Sequence, residues 1–265
     1  MRAKTASVAA QELRTMPLVD HPSFPQPQNP SVPLWRYMDT PKLLWLLLHR
    51  EIYLRRVDLL PDKFEGTAPK LAREVVQHGI ATTGNLPPLK VAQMADQWGK
   101  FGREMRRTNY ASCWCLQEHE SEAMWRIYCG DDQGVAIVLP YSQLKSSLHS
   151  ENTFIGTLTY IDYERQLFEL GNNFNFVMHK RREFAYESEV RVVNWRMPRK
   201  PIQEWIEADV PPSVTLPWDP ENLAQIVVSP YAPNWYLETI RETVGRIAPQ
   251  LAQRVVASSM TAGPY

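Results

Sequence analysis

The chain of 265 residues carries 29 basic and 29 acidic side chains and is 44% hydrophobic and 11% aromatic. This composition is globular and excludes an intrinsically disordered chain, and the length allows one large domain or two small ones. Cancelling charge excludes a global basic field, so any nucleic-acid partner has to be held by a local patch.

The amino-terminal stretch MRAKTASVAAQELRTM lacks the apolar core of a signal peptide, and the densest apolar run, LLWLLL, is far too short to span a bilayer. A cytoplasmic protein with no membrane association is expected. From Pro17 to Pro33 the run PLVDHPSFPQPQNPSVP is interrupted by proline every few residues and has no periodicity, which predicts an extended arm over 1–33 and a folded body over 34–265. LWRYM then reads as a short strand, followed by a helix with Thr40 as N-cap and Pro41 in its first turn, running to His49. EIYLRRV reads as a strand, and helices follow over about 68–78 and 89–107, parted by TTGNLPP.

NYASCWCL reads as a strand, ESEAMWRIYC as a helix stopped by Gly130, and VAIVLP as a central strand. A polar helix near 142–148 and the strands IGTLTYIDY and ESEVRVV come next. Beyond a proline-punctuated segment, 198–220, lie the strand QIVVSP, a helix over 233–247 with Leu237, Ile240, Val244 and Ile247 on one stripe, and QRVVASS as a last strand. Strands in clusters without regular β-α alternation predict a single α+β domain built on a mixed, split sheet with flanking helices.

Three constellations carry chemistry. In ESEVRVV a strand would turn Glu187, Glu189 and Arg191 to one face, so that two carboxylates disturb each other's ionisation; the bland account is a solvated edge paired with Lys180, Arg181, Arg182 or Arg191. Arg36, between Trp35 and Tyr37 in an apolar strand, has to meet either a carboxylate or a bound phosphate. In ASCWCLQEHESEAMWRIYC, Ser112 and Trp114 share a strand face while Trp125 and Tyr128 lie on the next helix, either as the floor of a pocket for a flat heterocycle or as ordinary core. Cys113, Cys115 and Cys129 form neither a disulfide framework nor a zinc-ligand spacing with His119, so buried thiols and no metal are expected. P-loop, dinucleotide-binding, HExxH and G-x-S-x-G motifs are absent from the sequence.

The blocks LWRYMDTPKLLWLLLHREIYLRRVDLLPDKFEG, NYASCWCLQEHESEAMWRIYCGDDQGVAIVLP, IGTLTYIDY and KRREFAYESEVRVV, with IVVSPYAPNW after them, resemble the bacterial domain of unknown function 2971 family. The order of elements is also similar to that of the ADP-ribosyltransferases, which carry an Arg, a Ser and a Glu on three successive strands. That resemblance implies Arg36 on the NAD phosphates or ribose, Ser112 orienting the glutamate or the nicotinamide ribose, Trp114 or Tyr128 stacking on nicotinamide, Glu189 stabilising the cation at the ribose and Glu187 placing the acceptor. The S-T-S of the arginine-signature class is replaced here by A-S-C-W. NAD would be the donor and a macromolecule, RNA or protein, the acceptor; bacterial enzymes of this kind often serve as toxins in defence or toxin-antitoxin systems, which implies an antitoxin partner. Two other readings stand beside it: a metal-dependent nuclease using Glu187, Glu189, Asp162 and Lys180, and a non-catalytic binding module whose charges form a structural network.

Overall fold

The computed structural model describes residues 20–84, 86–130 and 133–262. Its first strand, β1 (Pro33–Asp39), runs directly into α1 (Thr40–His49). Asp39, and not Thr40, is the N-cap: its carboxylate accepts from the Lys42 N–H at 2.9 Å, which places Thr40 inside the helix ahead of Pro41. Arg50 closes the helix in the left-handed region, at φ 54°, and β2 (Glu51–Arg56) follows. Helices α2 (Lys70–Gly84) and α3 (Pro88–Met105) pack on each other. The middle of the chain supplies β3 (Asn109–Leu116), α4 (Glu122–Cys129), β4 (Gly134–Pro140), α5 (Tyr141–Ser147) and β5 (Thr153–Thr157). Then come β6 (Thr159–Ile161), α6 (Asn173–Met178), β7 (His179–Arg181) and β8 (Glu189–Trp195). The chain finishes with β9 (Ser213–Pro217), β10 (Gln225–Val228), α7 (Asn234–Ile247) and β11 (Val255–Ala257).

The product is a single α+β domain on a mixed, split sheet, as the clustering of strands predicts. Nine strands form the main sheet along the path β11-β10-β4-β1-β3-β2-β9, with β8 also on β3 and β5 on β8. All its pairings are antiparallel except β10 with β11. The split lies at β3. One edge of β3 is taken by β8 over Asn109–Cys115, so β1, which meets β3 at Leu116 and Cys115, and β2, which meets it at Ala111 and Tyr110, must share the other edge. Ser112, Cys113 and Trp114 therefore lie in a fork where β1 and β2 part.

One face of the sheet, carrying Leu34, Met38, Trp114, Ile137, Val190 and Val192, is covered by α1, α5 and α7 through Leu43, Leu144 and Ile240. The opposite face is covered in two patches. Trp35, Tyr37 and Cys115 pack under Met124 and Trp125 of α4, while Ala111 and Val193 pack under Val177 and Met178 of α6 with Phe24 of the arm. The arm is docked from residue 20 onward, as the Thr157 N–H donates to the Pro25 carbonyl at 2.8 Å and Phe24 is buried. Gly156 makes this approach feasible, because a Cβ there would stand 2.7 Å from the Phe24 backbone. Residues 1–19, including the start of the predicted arm at Pro17, lie outside the described residues.

Several elements differ from the sequence expectation. IGTLTYIDY breaks at Leu158 into β5, in the main sheet, and β6, which pairs in parallel with β7 as a separate two-stranded sheet. The proline-punctuated segment contains β9, which uses Val214 and Leu216 to edge β2. The strand read as ESEVRVV begins two residues later, at Glu189: residues Arg182–Glu187 form a 3-10 helix, and Ser188, at φ 43°, turns the chain into β8. No β-branched or aromatic residue lies between Tyr186 and Val190, so local preference does not favour a strand there. No helix among the described residues is long and apolar enough to cross a membrane.

Candidate active site

Between the two covered patches of the second face lies a cluster of buried charge. Cross-strand register sets Cys115 opposite Glu189 and Cys113 opposite Arg191, with all four side chains on the face of Trp35 and Tyr37. Into this strip β7 projects Lys180, and the turn before α2 projects Glu65. Lys180 Nζ stands 2.5 Å from Glu187 Oε2, 3.0 Å from Glu189 Oε2 and 3.3 Å from Glu65 Oε1. Arg191, fully buried, donates from Nε to Glu189 Oε1 at 2.8 Å, from Nη1 to Glu65 Oε2 at 3.0 Å and to the Val177 carbonyl at 2.7 Å. The Glu189 N–H donates to the Tyr160 hydroxyl at 2.8 Å.

Three carboxylates thus share two cations, and the surplus negative charge has to be accommodated. The two neighbouring glutamates divide it unequally. Burial alone would raise the Glu189 carboxyl, but Arg191 and Lys180 outweigh burial and hold it ionised, with a pKa of about 2. Burial, with the Glu189 charge beside it, raises Glu187 even though Lys180 and Tyr128 act to lower it. Glu187 is also the member at the surface end. The Tyr128 hydroxyl donates to Glu187 Oε1 at 3.1 Å, and the Tyr128 ring, on α4, is 44% exposed. Tyr186, beside Glu187 in the 3-10 helix, is exposed as well.

The sequence-predicted residues divide between the two faces of the sheet. Glu187, Glu189 and Tyr128 are brought together; Glu187 arrives from the turn and not from the strand, so the expected alternation of Glu187 with Glu189 is replaced by a shared lysine. Arg36, Ser112 and Trp114 lie on the opposite face, because Arg36 neighbours Trp35 and because Trp114 belongs to the helix-covered core. Ser112 accepts the Trp114 indole N–H at 3.1 Å, and both are about 1% exposed, so they act as packing. Arg36 reaches across the fork to the Tyr53 carbonyl at 3.2 Å and over the Trp114 ring at 5.5 Å, and takes no carboxylate among the described residues. Burial pulls its pKa down to about 10. The ion-pair account proposed from sequence for Arg36 therefore fails.

Glu65 is the site residue that sequence reading overlooked. Its only signal is an acid next to glycine in DKFEG, and Gly66, at φ 69°, makes the turn that carries Glu65 inward. For a metal site the arrangement is unsuited: Lys180 Nζ occupies the space among the three carboxylates, Asp162 pairs with Arg182 at 3.2 Å, and no acidic, His or Cys group among the described residues is arranged to hold an ion. Burial pushes the Cys113 and Cys115 thiols well up and Cys129 to about 11, which keeps all three protonated.

The family model described as a protein of unknown function (DUF2971) matches residues 124–192. Over that stretch the chain resembles the family. The matched segment runs from α4 through β8 and contains Tyr128, Lys180, Glu187, Glu189 and Arg191, whereas Arg36, Glu65, Ser112 and Trp114 fall before it. Searches of curated proteins and of solved structures gave no match.

Proposed function

We propose that the protein is a glycosyl-transferring enzyme that cleaves the bond between ribose and nicotinamide in NAD and passes ADP-ribose to a macromolecule, RNA or protein. The observation that carries the reading is the pair of adjacent carboxylates on one lysine, with Lys180 Nζ 2.5 Å from Glu187 and 3.0 Å from Glu189 and Glu187 also held by the exposed Tyr128, an arrangement that shifts the two pKa values in opposite directions. Two carboxyl groups driven apart in this way are what oxocarbenium chemistry requires: a fixed negative charge near the developing cation, and a second carboxyl able to exchange a proton. In the reaction the C1′–N bond breaks with both electrons leaving on nicotinamide, the acceptor attacks C1′, and the acceptor's proton passes to the Glu187 carboxylate. Glu189 contributes to the net negative charge of the network and makes no bond to the ribose, since both its oxygens are already bonded to Lys180 and Arg191. Tyr128 offers its exposed ring for stacking.

The choice of NAD rests on the likeness in order of elements to the ADP-ribosyltransferases, and in this reading Arg36, Ser112 and Trp114, on the face opposite Glu187, take no part. A bacterial toxin with an antitoxin partner follows from the same likeness. The exposed Arg182 and the half-buried Arg181, stacked on Phe184, favour RNA among the acceptors. Incubating the full chain with NAD labelled in its adenylate phosphate, together with total RNA or total protein, tests the reading. Label in one of the two polymers and free nicotinamide are expected, and divalent-ion-dependent RNA cleavage without NAD would replace it with a nuclease.

The complete bonding of Glu189 favours one other account, a non-catalytic binding module in which the network is a structural clasp. It predicts no nicotinamide release under any condition and unaltered partner binding once Glu187 is replaced.

A further inference from the structure

A cleft of about 170 Å³ opens between α3 and α6, apart from the Glu187 end, walled by Trp98, Phe101 and Phe176. It meets the charge network only from behind, at Gly66 next to Glu65 and at Val177, whose carbonyl receives Arg191. Its volume is that of a single ring, since cavities of about 150 Å³ lined by apolar side chains accept benzene.

Its polar atoms separate it from a packing gap. Arg106 Nε, Asn109 Oδ1 and Asn173 Nδ2 are buried without a hydrogen-bond partner, and all three residues line this cleft. Asn109 is fully buried, and its Nδ2 donates to the Met105 carbonyl at 3.2 Å, which fixes the amide orientation and leaves Oδ1 as an unused acceptor. Arg106 spends Nη1 on the Lys63 and Glu65 carbonyls and forms no ion pair among the described residues. Buried polar groups are almost always satisfied, so three orphans around one apolar cleft call for a partner supplied from outside.

We propose that this cleft binds a small planar ring whose edge offers two acceptors and one donor, the complement of two N–H donors and one amide oxygen. A free pyrimidine base and an aromatic carboxamide share this chemistry. The site is independent of the function proposed above, since none of its residues belongs to the Glu187 pair.

Ligand-observed NMR titration of the full chain with uracil, with nicotinamide and with toluene tests the proposal and separates the two sources. Saturable binding of uracil or nicotinamide, at least about tenfold tighter than toluene, is expected, since one buried orphan satisfied amounts to about that factor. Asn109→Leu should weaken it by about tenfold or more. Gly102→Leu provides the steric control: Gly102 lines the cleft, a Cβ there meets nothing within 4 Å, and leucine suits a helix, so the fold persists while the ring is excluded. Absence of saturable binding, toluene binding as tightly as uracil and nicotinamide, or binding undiminished in Gly102→Leu would each overturn the proposal.

Discussion

Two arginines on opposite faces of one sheet have opposite circumstances. Arg191 is fully enclosed and satisfied by two carboxylates and a carbonyl, whereas Arg36, in the fork of the split sheet, has one carbonyl and the face of a tryptophan. A buried charge is tolerated where its partners are supplied by the chain, so Arg191 is fixed by the fold. Arg36 meets no carboxylate among the described residues, and burial depresses its pKa. Burial of charge alone therefore does not mark a site; a surplus of carboxylates that meets an exposed side chain does. By that measure the Glu187 end, where three carboxylates share two cations, is the reactive part of the network.

The sharpest break between the arginines is in stability. Arg191→Met leaves Glu65, Glu187 and Glu189 with Lys180 alone and should cost about 3–5 kcal/mol in urea denaturation. A loss under about 1 kcal/mol would show the network to be wet and dispensable.

Acid titration separates the two glutamates next. Glu189 is depressed from 4.5 to about 2, so its contribution to stability is complete above pH 4.5 and is lost as pH falls toward 2. Glu187 is raised, so its contribution is present below pH 4.5 and disappears as pH rises through its folded value. Thermal melts of the wild type should therefore weaken steeply between pH 4.5 and 2, and Glu187→Gln should leave stability near neutral pH unchanged or higher. A flat melting profile over that window would remove the pairing from the account.

A smaller effect is expected for Tyr128→Phe, which deletes one hydrogen bond to a carboxylate and should cost about 1 kcal/mol of stability while raising the Glu187 pKa further, as read by NMR. Smallest is Arg36→Met: with no ion pair to lose, its unfolding free energy should stay within about 0.5 kcal/mol of wild type by chemical denaturation. A loss above about 2 kcal/mol would show that Arg36 is a structural cation after all.

Much of this architecture was legible in the chain. The apolar run VAIVLP, the Gly130 stop and the stripe Leu237, Ile240, Val244 and Ile247 each correspond to an element of the fold, because hydrophobic period and turn chemistry are local properties. The short elements α6, β7 and β9 were not legible, since three to six residues hold too little periodic signal; β7 and β9 exist through pairing with β6 and β2, and α6 through packing on the sheet. The site was half legible for a related reason. E-x-E draws notice to Glu187 and Glu189, but which face Arg36 takes relative to Glu189 depends on cross-strand register, and a shift of one residue reverses it. Glu65 joins from 122 positions before Glu187 in the chain, and only the Gly66 turn connects it to the network.

The central claim is that Glu187 is the reacting carboxylate. Glu189→Gln is a poor probe of it, since that change also removes one carboxylate from both Lys180 and Arg191. The direct measurement is nicotinamide release from NAD, in the presence of total RNA or protein, by the wild type and by Glu187→Gln at matched thermal stability. Release by the wild type and a loss of about 100-fold or more in Glu187→Gln is the predicted result. Equal release by both, or none by the wild type with either acceptor, would contradict it.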